Sequence, residues 1–314
     1  MEDFRTIGAR FSNWGRWGEE DRIGTLNHIA PEHLVAAAAL IRHGRIFDLA
    51  LPLDRNGPQM GLGGRTNPVH LLNCSPSDTE SFNEHLIGPK GMINVDDFIM
   101  MPLQCATQWD GLAHVGYDNL FYNNVPEKTI TTNAGSTRLS IHQTIAKGIA
   151  GRGVLLDIAA LKGVDRLDPG YVITPEDMEA AERRQKVTAG PGDILLFRTG
   201  YLRHFTVDRA PGAYWNGEPG IDLSCVEWLH NRQIAALASD NWGIEVVPPN
   251  PERLIMQVHC VLIRDMGMTL GEMFDLDALA ADCESDRVWE FFFIAPPLKV
   301  SNGVGSPITP IAIK

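Results

Sequence analysis

The segment QCATQWDGLAHVGYD, residues 104–118, gathers two amides, a carboxylate and an imidazole in one short span. If residues 104–110 are extended, side chains two apart share a face, so Gln104, Gln108 and Asp110 point one way and Trp109 the other. Gly111 then permits a turn that folds His114 back toward the row. Oxygen donors on one surface hold a cation or order a polar ligand, and an imidazole beside them can move a proton. A buried carboxylate is costly unless paired or metal-bound, and no Lys or Arg lies within the motif to pair with Asp110. A cation is therefore its expected partner. Taken singly, each residue has a plainer use: the glutamines as strand amides bonded to neighbouring loops, His114 as a turn histidine satisfied by a backbone carbonyl.

The elements that must position these groups follow from pattern. Residues 30–42 have Pro31 near the start, helix formers through the middle and Gly44 just beyond, which predicts a helix. An apolar run at 45–54 predicts a strand. Residues 54–90, rich in Gly, Pro, Asn and Ser, predict an irregular excursion of the kind that covers a pocket. Helices are expected at 138–150, at 174–187 with Thr174 as N-cap and Pro175 in the first turn, and at 223–232. Strands are expected at 151–157, 192–201, 233–242 and around His259, which is flanked by Val258 and Cys260, with WEFFFIAPPLKV as the last. Asp157 and Asp240, at strand ends, read as residues that orient loops.

Composition sets the outer limits. At 314 residues the chain can bury a large core, and no linker, repeat, P-loop or GxGxxG divides it or points to a nucleotide. The economical reading is one α/β domain over 1–314 with a central mixed or antiparallel sheet and an N-terminal arm of about 1–28. A formal net charge of -12 argues against a nucleic-acid surface. No apolar run is long enough for a membrane span, and the N-terminus lacks the basic-then-apolar design of a secretory signal, so a cytoplasmic protein is expected. The five cysteines are odd in number and widely spaced, which disfavours disulfides and zinc fingers.

Taken in order, QCATQWDGLAH, GRGVLLD, GPGDILLFRTGY, GIDLSCVEWL, ALASDNWGIE and HCVLIRDMGMTLGEMFDLDAL resemble the cyclase family of metal-dependent hydrolases, which includes kynurenine formamidases and isatin hydrolases. The resemblance runs from NWGRWGEEDRIGTLN to the final strand and implies the family's swivelling β/β/α fold. In that family a motif His-x-Gly-Thr-His-x-Asp, followed by a further His, supplies a divalent metal site. Here Gln104 and Gln108 stand where the two ligand histidines would be, while Asp110 and His114 match. The resemblance also brings in His259 and Glu272 as a distal pair lining the same pocket. It implies Asp110, Gln104, Gln108, His259 and Glu272 as metal ligands, and His114, His259 and Glu272 as catalytic groups. Trp14 and Trp17 become substrate-contact candidates because the family's N-terminal segment can reach a neighbouring subunit's pocket, and Trp109 is a third.

The implied reaction is hydrolysis of a small amide, cyclic amide or lactone by metal-activated water, with His114 as proton shuttle. Imidazole is the better ligand for zinc or manganese, so the glutamines should weaken binding of either ion. Two carboxylates and one imidazole still suffice for a hydrolytic metal with an open position. A catalytically silent small-molecule binder and a metal-free hydrolase using His114 and Glu272 stand as alternatives. A homodimer or homotetramer is the expected assembly.

Overall fold

The computed structural model describes residues 2–78, 88–89, 91–144 and 148–314. Its centre is a nine-stranded sheet. In chain order the strands are β1 (Ile46–Asp48), β2 (Gln108–Asp110), β3 (Ala150–Asp157), β4 (Ile194–Arg198), β5 (Ala236–Ser239), β6 (Thr269–Glu272), β7 (Glu290–Ile294), β8 (Gly305–Pro307) and β9 (Ile311–Ile313). They lie side by side in the order β1-β9-β7-β3-β4-β5-β6-β2-β8. The four central strands β3, β4, β5 and β6 run parallel, and every strand outside them joins antiparallel. The expected single α/β domain with a mixed sheet is what forms.

A parallel centre is covered on both faces, which is why its strands read as continuous apolar runs. Val154, Leu156, Leu195, Phe197 and Leu237 pack on one face against Met178, Ala181, Val226 and Leu229 of the helices Pro175–Gln185 and Cys225–Asn231. Their neighbours Leu155, Ile194, Leu196, Ala236 and Ala238 enter a second core with Trp289, Phe291 and Phe293. The helix Pro175–Gln185 starts as its sequence predicts, with Thr174 and Asp177 forming a capping box around Pro175.

The strand ends are tied by buried acids. Asp240 accepts from the backbone N–H of Thr199 and Gly200 at 2.8 and 2.7 Å, and Asp157 caps the helix Ile158–Lys162 through the Ala160 N–H. Both therefore orient loops, as read from their positions. Arg198, at the end of β4, joins Asp157 at 3.2 Å to Asp277 at 2.7 Å.

Three expectations need correction. The strand predicted over 104–110 is only Gln108–Asp110; Thr107 ties the preceding backbone elsewhere, its hydroxyl donating to Met273 O and accepting from Leu51 N. His259 lies not in a strand but in the helical turn Gln257–His259, which runs into a π-helix, Cys260–Asp265. Periodicity cannot separate a fully buried helix from a buried strand in so apolar a run. The helix expected over 138–150 is described at Ile141–Thr144, residues 145–147 lie outside the described residues, and β3 already begins at Ala150.

Outside the sheet, Val69–Leu72 and Asp97–Met100 form an antiparallel hairpin. Its registered pairs Val69–Met100 and Leu71–Phe98 place four exposed apolar side chains on one face. No helix among the described residues is long and apolar enough to cross a membrane.

Removing Arg198 leaves the Asp157 carboxylate buried without its cation. Arg198→Met is expected to lower unfolding free energy by about 3–5 kcal/mol, read as a reduced denaturant midpoint; an unchanged midpoint would count against this account.

Candidate metal centre and active site

Register creates the site. β2 pairs with β6 so that Gln108 sits opposite Glu272, Trp109 opposite Gly271 and Asp110 opposite Leu270. Directly paired residues share a face, so Gln108, Asp110 and Glu272 emerge together. The Gln108 amide nitrogen donates to Glu272 Oε2 at 2.6 Å and to Asp110 Oδ1 at 3.3 Å. All three are buried.

The turn Gly111–His114, closed by the His114 N–H on Gly111 O, brings the imidazole back as the sequence suggests. Its Nε2 lies 3.7 Å from Asp110 Oδ2. From the other side His259 offers Nε2 to Glu272 Oε1 at 3.2 Å, while its Nδ1 donates to Glu245 Oε1 at 2.6 Å. Glu245 is itself fixed, accepting from the backbone N–H of Val258 and His259. A carboxylate on the far ring nitrogen is the arrangement that orients a metal-binding histidine and selects its tautomer.

One ligand atom from each of Asp110, His259 and Glu272 lies within 4.8 Å of the others. Asp110 Oδ2 and Gln108 Oε1 are buried with no hydrogen-bond partner among the described residues. Orphaned oxygens beside two carboxylates and an oriented imidazole fit a divalent cation. Rotating the Gln108 amide, whose O and N are assigned from its contacts, would add a fourth ligand atom. Gln104 reaches the same face by a different route. Gly305 of β8 pairs with Asp110, and the Gln104 amide nitrogen lies 2.4 Å from where a Gly305 Cβ would stand. The missing side chain leaves room for the amide beside Asp110.

Burial sets the charges. It pushes Asp110 up to about 6, with His114 opposing and Glu272 reinforcing the shift. Burial also lowers His114, partly offset by Asp110, which favours the neutral, proton-accepting imidazole. At His259 burial works against the charged form, but the hydrogen bonds to Glu245 and Glu272 outweigh it and hold its pKa well above the usual imidazole value. A cation at Nε2 must displace that proton.

Above the cluster opens a cavity of about 270 Å³, with His114, His259 and Glu272 at its base. Trp215 and Trp242, ring centroids 5.0 Å apart, line it together with Val115, Leu254 and Met256. Leu62, Gly63 and Arg65 close another side, so the irregular excursion does cover a pocket.

A sequence model of the family described as putative cyclase matches residues 47–246. This chain belongs to that family. A crystal structure described as that of a novel cyclase is 40% identical, with a TM-score of 0.87, and the match covers 96% of this chain and 99% of that one. Isatin hydrolase A from Ralstonia solanacearum is 19% identical, with a TM-score of 0.61 over 86% of this chain and 92% of its own. A predicted metal-dependent hydrolase from Bacillus stearothermophilus is 16% identical, with a TM-score of 0.51 over 86% of this chain and 98% of its own. Among curated proteins no match is found.

In this cyclase-family chain the structure brings Gln108, Asp110, His114, His259 and Glu272 together, and of these His114, His259 and Glu272 line the pocket. The structure overturns the reading of Trp109. Trp109 is fully buried, packs against Phe274 and Phe293 and donates to Ala295 O, so it cannot meet a substrate. Its face is the reverse of the site, and Gly271 opposite leaves space for its ring, since a Cβ there would stand 2.5 Å from it. Trp14 donates to Arg264 O and Trp17 packs edge-on against His28; both lie outside this pocket. Sequence reasoning missed Trp215, Trp242, Arg65 and Glu245. The available signal for Trp242 was an aromatic two residues beyond Asp240, on a loop leaving a parallel strand.

Trp109→Ala is accordingly expected to cost about 3–5 kcal/mol of stability by chemical denaturation. A variant of native stability that has lost ligand affinity would restore the substrate-contact role.

Proposed function

We propose that the protein is a cytoplasmic metal-dependent hydrolase that cleaves the acyl C–N or C–O bond of a small amide, cyclic amide or lactone, arylformamides included. The observation that carries this reading is the convergence of Asp110, His259 and Glu272 ligand atoms within 4.8 Å at the base of a pocket that also holds His114. A manganese or zinc ion bound there would supply Lewis acidity toward a substrate carbonyl and water.

The chain's own residues do the rest. His114, kept neutral by burial, takes a proton from the attacking water and returns it to the leaving nitrogen or oxygen. Glu245 holds His259 in place through Nδ1. Trp215 and Trp242 give a flat apolar substrate two aromatic surfaces.

One observation favours a second reading. The Gln108 amide already bridges Glu272 and Asp110, as it would in a silent binder that has lost its metal or in a hydrolase working through His114 and Glu272 alone. Metal analysis of the purified protein, with hydrolysis of formamides, imides and lactones measured with and without chelator, separates the three. On the metal reading Asp110→Ala loses both ion and turnover, whereas His114→Ala keeps the ion and loses about 10²–10⁴-fold in kcat. Unchanged metal affinity in Asp110→Ala would remove it.

For the assembly we propose a homodimer or homotetramer, with the apolar hairpin face of Val69, Leu71, Phe98 and Met100 set against a second copy and Trp14 and Trp17 on the arm available to a partner's pocket. Phe98→Asp should shift sedimentation toward the 34.6 kDa monomer. A wild-type protein already monomeric at micromolar concentration would overturn the proposal.

A further inference from the structure

The chain has 39 acidic and 27 basic residues, and its other inward-turned arginines are matched to carboxylates: Arg152 to Asp193 and Glu290, Arg198 to Asp157 and Asp277, Arg264 to Asp265. Arg65 is different. It lines the pocket, and among the described residues its guanidinium forms no hydrogen bond or ion pair with any side chain or carbonyl. Around it the wall is apolar: Leu62, Val115, Trp215, Trp242, Leu254 and Met256. A half-buried guanidinium that faces a cavity and has no partner in an acid-rich protein has its donors free for a ligand.

We infer that the pocket takes an aromatic or similarly flat apolar acyl compound bearing a carboxylate, and that Arg65 reads that carboxylate. The planar guanidinium fork matches a carboxylate bidentately. The base of the pocket carries Glu272, with Asp110 and Glu245 behind it, so the anionic end is repelled from the reacting end and held at the excursion. The two charges together fix which way the substrate enters, leaving its scissile carbonyl beside His114. The identity of the scissile bond rests on the hydrolase reading above; recognition of the carboxylate does not.

The alternative use of Arg65 is as a distant counter-charge to Asp110, and ligand binding distinguishes the two. Benzoate and benzamide share a ring and differ in charge. Each is titrated by ligand-observed NMR into chelator-treated protein, so that a metal–carboxylate contact cannot imitate the arginine. Wild type should prefer benzoate by roughly tenfold to a hundredfold, the range of a charge-assisted hydrogen-bonded pair. Arg65→Met should abolish the preference, and Arg65→Lys should keep part of it. Since the Arg65 side chain forms no hydrogen bond or ion pair among the described residues, both variants should remain folded. Equal binding of the two ligands by wild type, or a preference that survives Arg65→Met, would overturn the inference. In a second arm, hydrolysis of formanilide is compared with that of a ring-carboxylated formanilide. Benzoate selection without hydrolysis of either anilide removes the arylformamide part of the hydrolase reading and supports Arg65 as an anion reader; faster hydrolysis of the carboxylated anilide, lost in Arg65→Met, supports both.

Discussion

The pairing of β2 with β6 is the constraint on which the site depends. It is a short antiparallel contact on the flank of a parallel sheet, and it fixes Gln108 opposite Glu272 and Asp110 opposite Leu270. Slipping it by one residue would turn Gln108 and Asp110 into the aromatic core and Trp109 into the pocket. Trp109 makes that slip expensive, because its ring fills space between Phe274 and Phe293 that only a glycine at 271 leaves open. The large apolar residue of the motif thus serves as the lock on register, and the polar residues on either side inherit their direction from it.

Around that register the protein confines acidic groups where water is scarce. Asp110, Glu272, Glu245 and, deeper, Glu218 are all buried, and burial raises both Asp110 and Glu218. Glu218 is held by the backbone N–H of Trp242 and Gly243, so an acid outside the ligand cluster shapes the loop that carries a pocket tryptophan. The cost is met locally by His259, which lies between Glu245 and Glu272. Structural carboxylates such as Asp240 are instead saturated by backbone donors. Asp110 Oδ2, Gln108 Oε1 and Glu218 Oε1 belong to the buried oxygens left without a hydrogen-bond partner among the described residues.

Legibility in the sequence followed how local each determinant is. The parallel core could be read because each strand is an uninterrupted apolar run, and the helix Pro175–Gln185 because its cap is written in adjacent residues. Period two placed Gln108 and Asp110 correctly, but it brought Gln104 to the right neighbourhood for the wrong reason, since a turn and the gap at Gly305 put it there. His259 and Glu272 were visible only through the family resemblance: nothing in VHCV marks a helical turn that enters a pocket. Arg65 and Trp215 were illegible because they sit in irregular segments, where no periodicity says which side chain turns inward.

The resemblance puts Gln104 and Gln108 where the family motif has imidazoles, and their neighbours show what an amide does there. A histidine pair in place of Gln104 and Gln108 would bring two more titratable groups into a cluster where, against burial, hydrogen bonds to Glu245 and Glu272 already raise the His259 pKa. Amides bring none. Gln108 donates to Glu272 and Asp110; rotated, it would turn its oxygen to an ion, and the ion would then neutralise the carboxylates in its place. A cation at His259 Nε2 would compete there with the proton shared with Glu272.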